Sequence, residues 1–144
     1  MFSKTCEYAI RAMIFLAQKS VGGKRIGIKE IAKGSGAPEY FIAKVMQNLC
    51  REGLVQSMKG PRGGFYLSEQ NAQCSIADIV RAVDGDAIFT ACGLGLHQCS
   101  EANPCPIHHE YKGIREATNQ MLESAQLTSF KDELDNQKSF LKLH

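Results

Sequence analysis

The run Lys59-Gly60-Pro61-Arg62-Gly63-Gly64 is built for a tight turn and leaves this chain few alternatives on either side of it. Its three glycines reach backbone conformations closed to other residues, and Pro61 fixes its own φ. Leu54-Val55-Gln56-Ser57-Met58 before it and Phe65-Tyr66-Leu67-Ser68 after it read as strands, so the segment is a β-hairpin. The tip carries Lys59 and Arg62 and no acid. A nucleotide phosphate loop is excluded, because the G-x-x-x-x-G-K-[ST] spacing is absent and the sequence opens no helix behind the glycines.

What precedes the hairpin gives it a role. A first helix is expected from Thr5 to Gln18, with Ile10, Met13, Ile14 and Ala17 at the spacing of a buried stripe. Val21-Gly22-Gly23-Lys24 ends it. A second, short helix points Ile28, Ile31 and Ala32 inward and stops at Gly34-Ser35-Gly36. A third, with Pro38 in its first turn, buries Ile42, Val45, Met46 and Leu49 and closes at Gly53. On the opposite face, Lys44, Gln47, Asn48 and Arg51 share one side, and Tyr40 lies a turn before Lys44. Two helices joined by a Gly-containing turn, the second presenting basic and amide groups, make a helix-turn-helix. A hairpin directly behind the recognition helix is then a wing. Tyr40, Lys44, Gln47, Asn48, Arg51, Lys59 and Arg62 are the candidate contacts to double-stranded DNA.

Charge agrees with this division. Residues 1–68 hold eleven Lys or Arg against four Asp or Glu, and residues 69–144 hold six against eleven, a segregation hidden by the net charge of +2. The basic front half is the part that would meet a polyanion. The first twenty residues lack the order of a signal peptide, and no apolar run approaches the length of a membrane span. A cytoplasmic protein with no membrane partner is expected. In a reducing compartment its six cysteines point to metal or redox chemistry rather than disulfides.

Ser75-Ile76-Ala77-Asp78 has the form of a capping box that opens a helix through Ile79, Val80 and Val83 to Gly85. An irregular stretch follows, from Ile88 to Pro106, with Cys92, Cys99 and Cys105 spaced C-x6-C-x5-C among glycines. Soft thiolates in this number select an iron–sulfur cluster, zinc or copper(I). His108, three residues past Cys105, offers a nitrogen for a fourth position, ahead of His97 and His109. Cys50 and Cys74 have no partner at ligand spacing. A long helix is expected from Ile107 to Ala125, with Ile107, Tyr111, Ile114, Thr118, Met121 and Ala125 stepping along one seam suited to a subunit pair. The expected division is a winged helix-turn-helix over 1–85, a sensor loop over 86–106, and a dimerisation helix with a C-terminal tail over 107–144. The fold class is mainly α with a small β-hairpin wing. No carboxylate pair, nucleophile–base motif or cofactor loop indicates an enzyme; Asp84 and Asp86 about Gly85 read as a helix end.

Tyr8-Ala9-Ile10, Ile28-Lys29-Glu30-Ile31-Ala32, Leu49-Cys50-Arg51-Glu52-Gly53-Leu54-Val55, the wing through Leu67, and Ile79-Val80-Arg81-Ala82-Val83-Asp84-Gly85 resemble the Rrf2 family of winged-helix regulators, and the resemblance continues into the cysteine loop. It implies a homodimer crossed through the long helix, binding a palindromic operator with an affinity set by an iron–sulfur cluster, [2Fe–2S] or [4Fe–4S]. The signal would be redox state, nitric oxide or iron–sulfur status. It also implies Cys92, Cys99 and Cys105 as sulfur ligands. The fourth ligand differs within the family. In some members it is a histidine three residues after the last cysteine, here His108; in others it is a carboxylate from the first helix of the partner, here Glu7. A thiol/disulfide switch or a zinc site on the same cysteines is the alternative sensor.

Overall fold

The computed structural model describes residues 1–141, so His144 and the last three residues of the 107–144 segment lie outside the described residues. Helix α1, Lys4–Lys19, begins at Ser3, whose hydroxyl accepts the Cys6 N–H as an N-cap. It buries Cys6, Ala9, Ala12, Met13 and Leu16 completely, while Ile10, Ile14 and Ala17 of the expected stripe are partly buried at its flanks. The buried band is wider than one stripe because α1 is packed against four other helices.

Helix α2, Ile28–Ser35, ends where Gly36 turns left-handed at φ 70°, and α3, Glu39–Arg51, starts after Pro38, which sits at the N-cap itself. Gly34 allows α2 to approach α1 closely: a Cβ there would lie 2.4 Å from the Phe15 ring. The core stripe of α3 is the expected one, Ile42, Val45, Met46 and Leu49.

The wing is shorter than its sequence suggests. Strands β1, Gln56–Met58, and β2, Gly64–Tyr66, pair antiparallel with Ser57 opposite Phe65. Leu54 and Val55 are not strand. Gly53, at φ 75°, reverses the chain so that the Leu54 N–H returns to the Leu49 carbonyl and Val55 drops into the core. Ile26 adds an isolated bridge to Phe65, tying the wing to the segment ahead of α2.

Helix α4, Glu69–Ala72, follows, opened by a Ser68–Asn71 capping box. The expected box of Ser75 and Asp78 opens α5, Ile76–Asp84. A short α6, Ala87–Thr90, breaks the stretch expected to be irregular, and α7 runs His108–Ser124. The C-terminal segment is more than a tail. Helix α8, Leu127–Asp135, folds back on α1 with Leu127 fully buried, and its entry is fixed by paired backbone bonds, Ile76 N–H to Ala125 and Leu127 N–H to Cys74. No helix among the described residues is long and apolar enough to cross a membrane.

Candidate nucleic-acid interface and metal centre

Tyr40, Lys44, Gln47 and Arg51 form one exposed stripe along α3, Tyr40 with 74% of its surface open. Asn48 stands apart from them. Half-buried at the edge of the stripe, its amide donates to the Ala82 carbonyl of α5 at 3.4 Å, and its oxygen accepts from the Arg51 guanidinium at 3.3 Å. It therefore holds α3 to α5 and orients Arg51. Lys59 and Arg62 are exposed at the hairpin tip. The double glycine behind them has a packing reason. A Cβ at Gly63 would lie 2.2 Å from the Met58 carbonyl oxygen, and one at Gly64, already at φ 147°, would lie 2.7 Å from that of Ile26.

The cysteine loop is held by its own short turns. The Gly95 N–H donates to the Cys92 carbonyl, Ser100 and Asn103 exchange backbone bonds, and the Asn103 amide donates to the Gln98 carbonyl. Gly93 packs so closely on the Tyr111 ring that a Cβ would lie 2.8 Å from it. The Arg115 guanidinium of α7 donates to the Ala91 carbonyl at 2.9 Å, anchoring the loop to the long helix. These turns gather Cys92, Cys99 and Cys105, all half-buried, with their three sulfurs within 4.8 Å of one another. The Cys92 and Cys105 sulfurs are 3.7 Å apart. Two thiolates sharing a tetrahedral metal at about 2.3 Å would stand about 3.8 Å apart, so this pair already has the spacing of common ligands.

The electrostatics set Cys92 apart from Cys105 and from the core thiols. Backbone N–H groups of Leu96 and Leu94 at the Cys92 sulfur bring its pKa down to about 7, a thiolate-favouring environment. Removal from water raises that of Cys105. Cys6 and Cys74, buried in the core, are pushed to about 12 by burial, with Asp84 and Asp78 adding to the effect. Those two thiols are inert packing.

His108 opens α7 beside the sulfurs, its side chain only 8% exposed. Its Nδ1 lies 3.2 Å from the Cys99 sulfur, and its Nε2 lies 3.2 Å from Oε1 of Glu101. The same oxygen accepts from the Lys112 ammonium at 2.5 Å. Lys112, then His108, hold the Glu101 carboxyl down at about 2. Glu101 and Lys112 were missed by sequence reasoning, although Lys112 stands one helical turn past His108 and so shares its face. His109 groups with Glu101 and His108, whereas His97 is exposed in the loop and joins neither ligand group. Glu7 is on α1, paired with Lys4 at 3.2 Å, and within one chain it is not part of the cysteine group.

The seam expected on α7 divides between two environments. Tyr111, Thr118 and Ala125 are partly buried, whereas Ile107, Ile114 and Met121 are exposed, the last two by 63% and 53%. The reason is helical geometry: positions a heptad apart stay on nearly one face, and those four residues further on lie about 40° round the helix, toward the chain's own α5 and α6.

Residues 2–133 match the family profile Rrf2, described as iron-dependent transcriptional regulator. An HTH-type transcriptional regulator of Aquifex aeolicus is 37% identical over 144 residues, 98% of this chain and 96% of the relative. The HTH-type transcriptional regulator IscR of Yersinia pseudotuberculosis is 26% identical over 136 residues, 94% of this chain and 79% of its own. Among solved structures, CymR, the global cysteine regulator of B. subtilis, superposes with a TM-score of 0.76 at 26% identity, covering 92% of this chain and 96% of that one. The matching profile is that of a transcriptional regulator rather than of an enzyme. With a winged helix-turn-helix at its front and this match along nearly all its length, the chain belongs to the Rrf2 family of DNA-binding transcriptional regulators.

Proposed function

We propose that the protein is a dimeric regulator of a palindromic operator, and that it senses redox state, nitric oxide or iron–sulfur status through an iron–sulfur cluster held by Cys92, Cys99 and Cys105. The observation that carries this reading is the convergence of the three sulfurs within 4.8 Å, in a loop anchored to α7. The donor set fits the group: three soft sulfurs, one of them thiolate-favouring, with an imidazole nitrogen 3.2 Å from the Cys99 sulfur. That nitrogen supports His108 as the fourth ligand, and Glu7 of the partner subunit is the competing choice. When bound, a cluster supplies a centre whose oxidation state and ligation respond to small oxidants and ligands.

The chain's own contacts supply the route to DNA. Arg115 ties the loop to α7, and Arg81 of α5 bonds Glu123 of α7 at 2.7 Å while also meeting Asp86 and the Phe89 ring. Asn48 then joins α5 to the recognition helix. A change in the loop can thus shift α7 and α5 against α3, and with a second copy paired along α7, the spacing of two recognition helices. In this scheme residues 1–85 bind DNA, 86–106 sense, and α7 pairs subunits, while α8 braces α1.

The test is anaerobic purification and iron reconstitution, read by visible absorbance and Mössbauer spectra, with DNA binding measured before and after cluster removal. A brown protein that loses its colour in Cys92→Ser, Cys99→Ser or Cys105→Ser, and whose operator affinity changes with cluster state, is expected. A colourless protein with stoichiometric zinc overturns the cluster. The 3.7 Å separation of Cys92 and Cys105 favours that second reading, a zinc or thiol-based sensor in the same loop.

A further inference from the structure

The cysteine loop carries a carboxylate, Glu101, and α7 an ammonium, Lys112, that neither the DNA interface nor the sulfur ligands use. His108 is nearly enclosed, and both its ring nitrogens are engaged, Nδ1 facing the Cys99 sulfur and Nε2 facing Oε1 of Glu101. Glu101 is fixed in turn by the Lys112 ammonium at 2.5 Å. A carboxylate held by a lysine can only accept, so the hydrogen between Glu101 and His108 must belong to Nε2. In a neutral ring, Nδ1 then keeps its lone pair, and that nitrogen faces the Cys99 sulfur. Histidines that ligate metals commonly give their other N–H to a carboxylate, which fixes tautomer and ring orientation.

We propose that Glu101, braced by Lys112, is a positioning residue that locks His108 with its hydrogen on Nε2 and presents Nδ1 as the nitrogen donor to the three-cysteine centre. The proposal rests on His108 lying at the centre assigned above, and it deepens that assignment by naming the ligating atom and the groups that select it. Glu101 is the exposed member of the triad, its side chain 61% open, so its replacement leaves the core intact. Its separation from His108 is set by the turn that Ser100 and Asn103 close by exchanging backbone bonds, and His108 and Lys112 share a face of α7 one turn apart. The three groups are thus brought together by a loop turn and a helix, without a second subunit.

Two measurements on the full chain test it. In the reduced, metal-free protein, imidazole ¹⁵N shifts report the tautomer of His108 directly, assigned by comparison with His108→Ala. The Nε2–H form is expected in the parent and in Glu101→Gln, which keeps an acceptor oxygen, and a mixture of tautomers in Glu101→Ala. In the iron-reconstituted protein, pulsed EPR of the reduced state with histidine labelled at Nδ1 should give a nitrogen coupling in the parent and in Glu101→Gln. That coupling should weaken or move to Nε2 in Glu101→Ala, and iron should leave to a chelator about 10–100-fold faster there. Lys112→Met should fall between the parent and Glu101→Ala. An Nδ1–H tautomer in the parent, or a tautomer and coupling unchanged by Glu101→Ala, overturns the role of Glu101 while leaving the cluster reading intact. A parent that takes up no iron overturns the cluster reading instead, and the tautomer comparison still decides for or against Glu101.

Discussion

Lys59 and Arg62 stand exposed at the tip of the wing, whereas Lys44 and Gln47 lie along a helix suited to a groove. The two pairs should answer differently to substitution. Lys59→Ala or Arg62→Ala is expected to weaken DNA binding for all sequences and to flatten its salt dependence by about one unit of slope for every phosphate no longer neutralised. Lys44→Ala or Gln47→Ala should alter sequence preference, by roughly 1–3 kcal/mol for a bidentate base contact. Titrations over a range of salt with operator and random duplexes separate these outcomes, and parent-like binding by all four variants removes α3 and the wing as the interface. Gly64 makes a prediction of a different kind. Its φ of 147° and the Ile26 carbonyl oxygen 2.7 Å from any added Cβ mean that Gly64→Ala must open the Ile26–Phe65 bridge. The expected loss is about 1–3 kcal/mol in urea denaturation, and an unchanged midpoint would refute the close approach. At this scale the sequence was legible where a residue type alone carries the chemistry. Three cysteines at short spacing and cations without acids on a hairpin tip announce themselves. Asn48 did not, because its spacing puts it with Lys44 and Arg51 while its partner is a backbone carbonyl at Ala82, 34 residues away. Glu101 did not either, since an exposed loop acid takes on meaning only once a turn brings it to His108.

Helices whose apolar residues recur over two turns or more were readable to within a residue or two: α1, α3, α5 and α7 all fall where periodicity puts them. The four-residue helices α4 and α6 were not, because so short a segment has no period to detect; α4 is fixed by its capping box and α6 by bonds to Asp86. Helix α8 is a different case. Leu127, Phe130 and Leu134 have helical spacing, but nothing in that spacing tells that the segment returns to α1. The return is set by Ser75 and Gln126, which form an isolated bridge, and by the side chains of Gln18 and Asp135, which bond at 3.2 Å. Because Leu127 is fully buried where α8 packs on α1, Leu127→Ala should cost about 2–5 kcal/mol in chemical denaturation. A cost below about 0.5 kcal/mol, the range of ordinary surface changes, would mean that α8 is not part of the core.

For the whole molecule, the decisive feature is a helix that is half inside its own fold and half outside. Along α7, His108 and Leu122 are buried and Tyr111, Thr118 and Ala125 are partly so, which fixes the helix to α5 and α6. The other face presents Ile107, Ile114 and Met121 at seven-residue intervals, with the small side chain of Ala117 between the last two. Heptad spacing over two intervals is what two long helices need to pack side by side, and two recognition helices are what a palindrome needs. Ile114→Asp and Met121→Asp place charges on that face without touching the chain's own core, so each variant should keep its helical circular dichroism. Each should sediment as a monomer, because an unpaired charge would have to be buried in the pair, and should lose most of its operator affinity. The thermal midpoint of the parent should rise with protein concentration, as folding coupled to association requires, and that of the variants should not. An intact dimer in both variants, with operator binding unchanged, would move the subunit contact off α7 and cut the proposed route from the cysteine loop to half-site spacing.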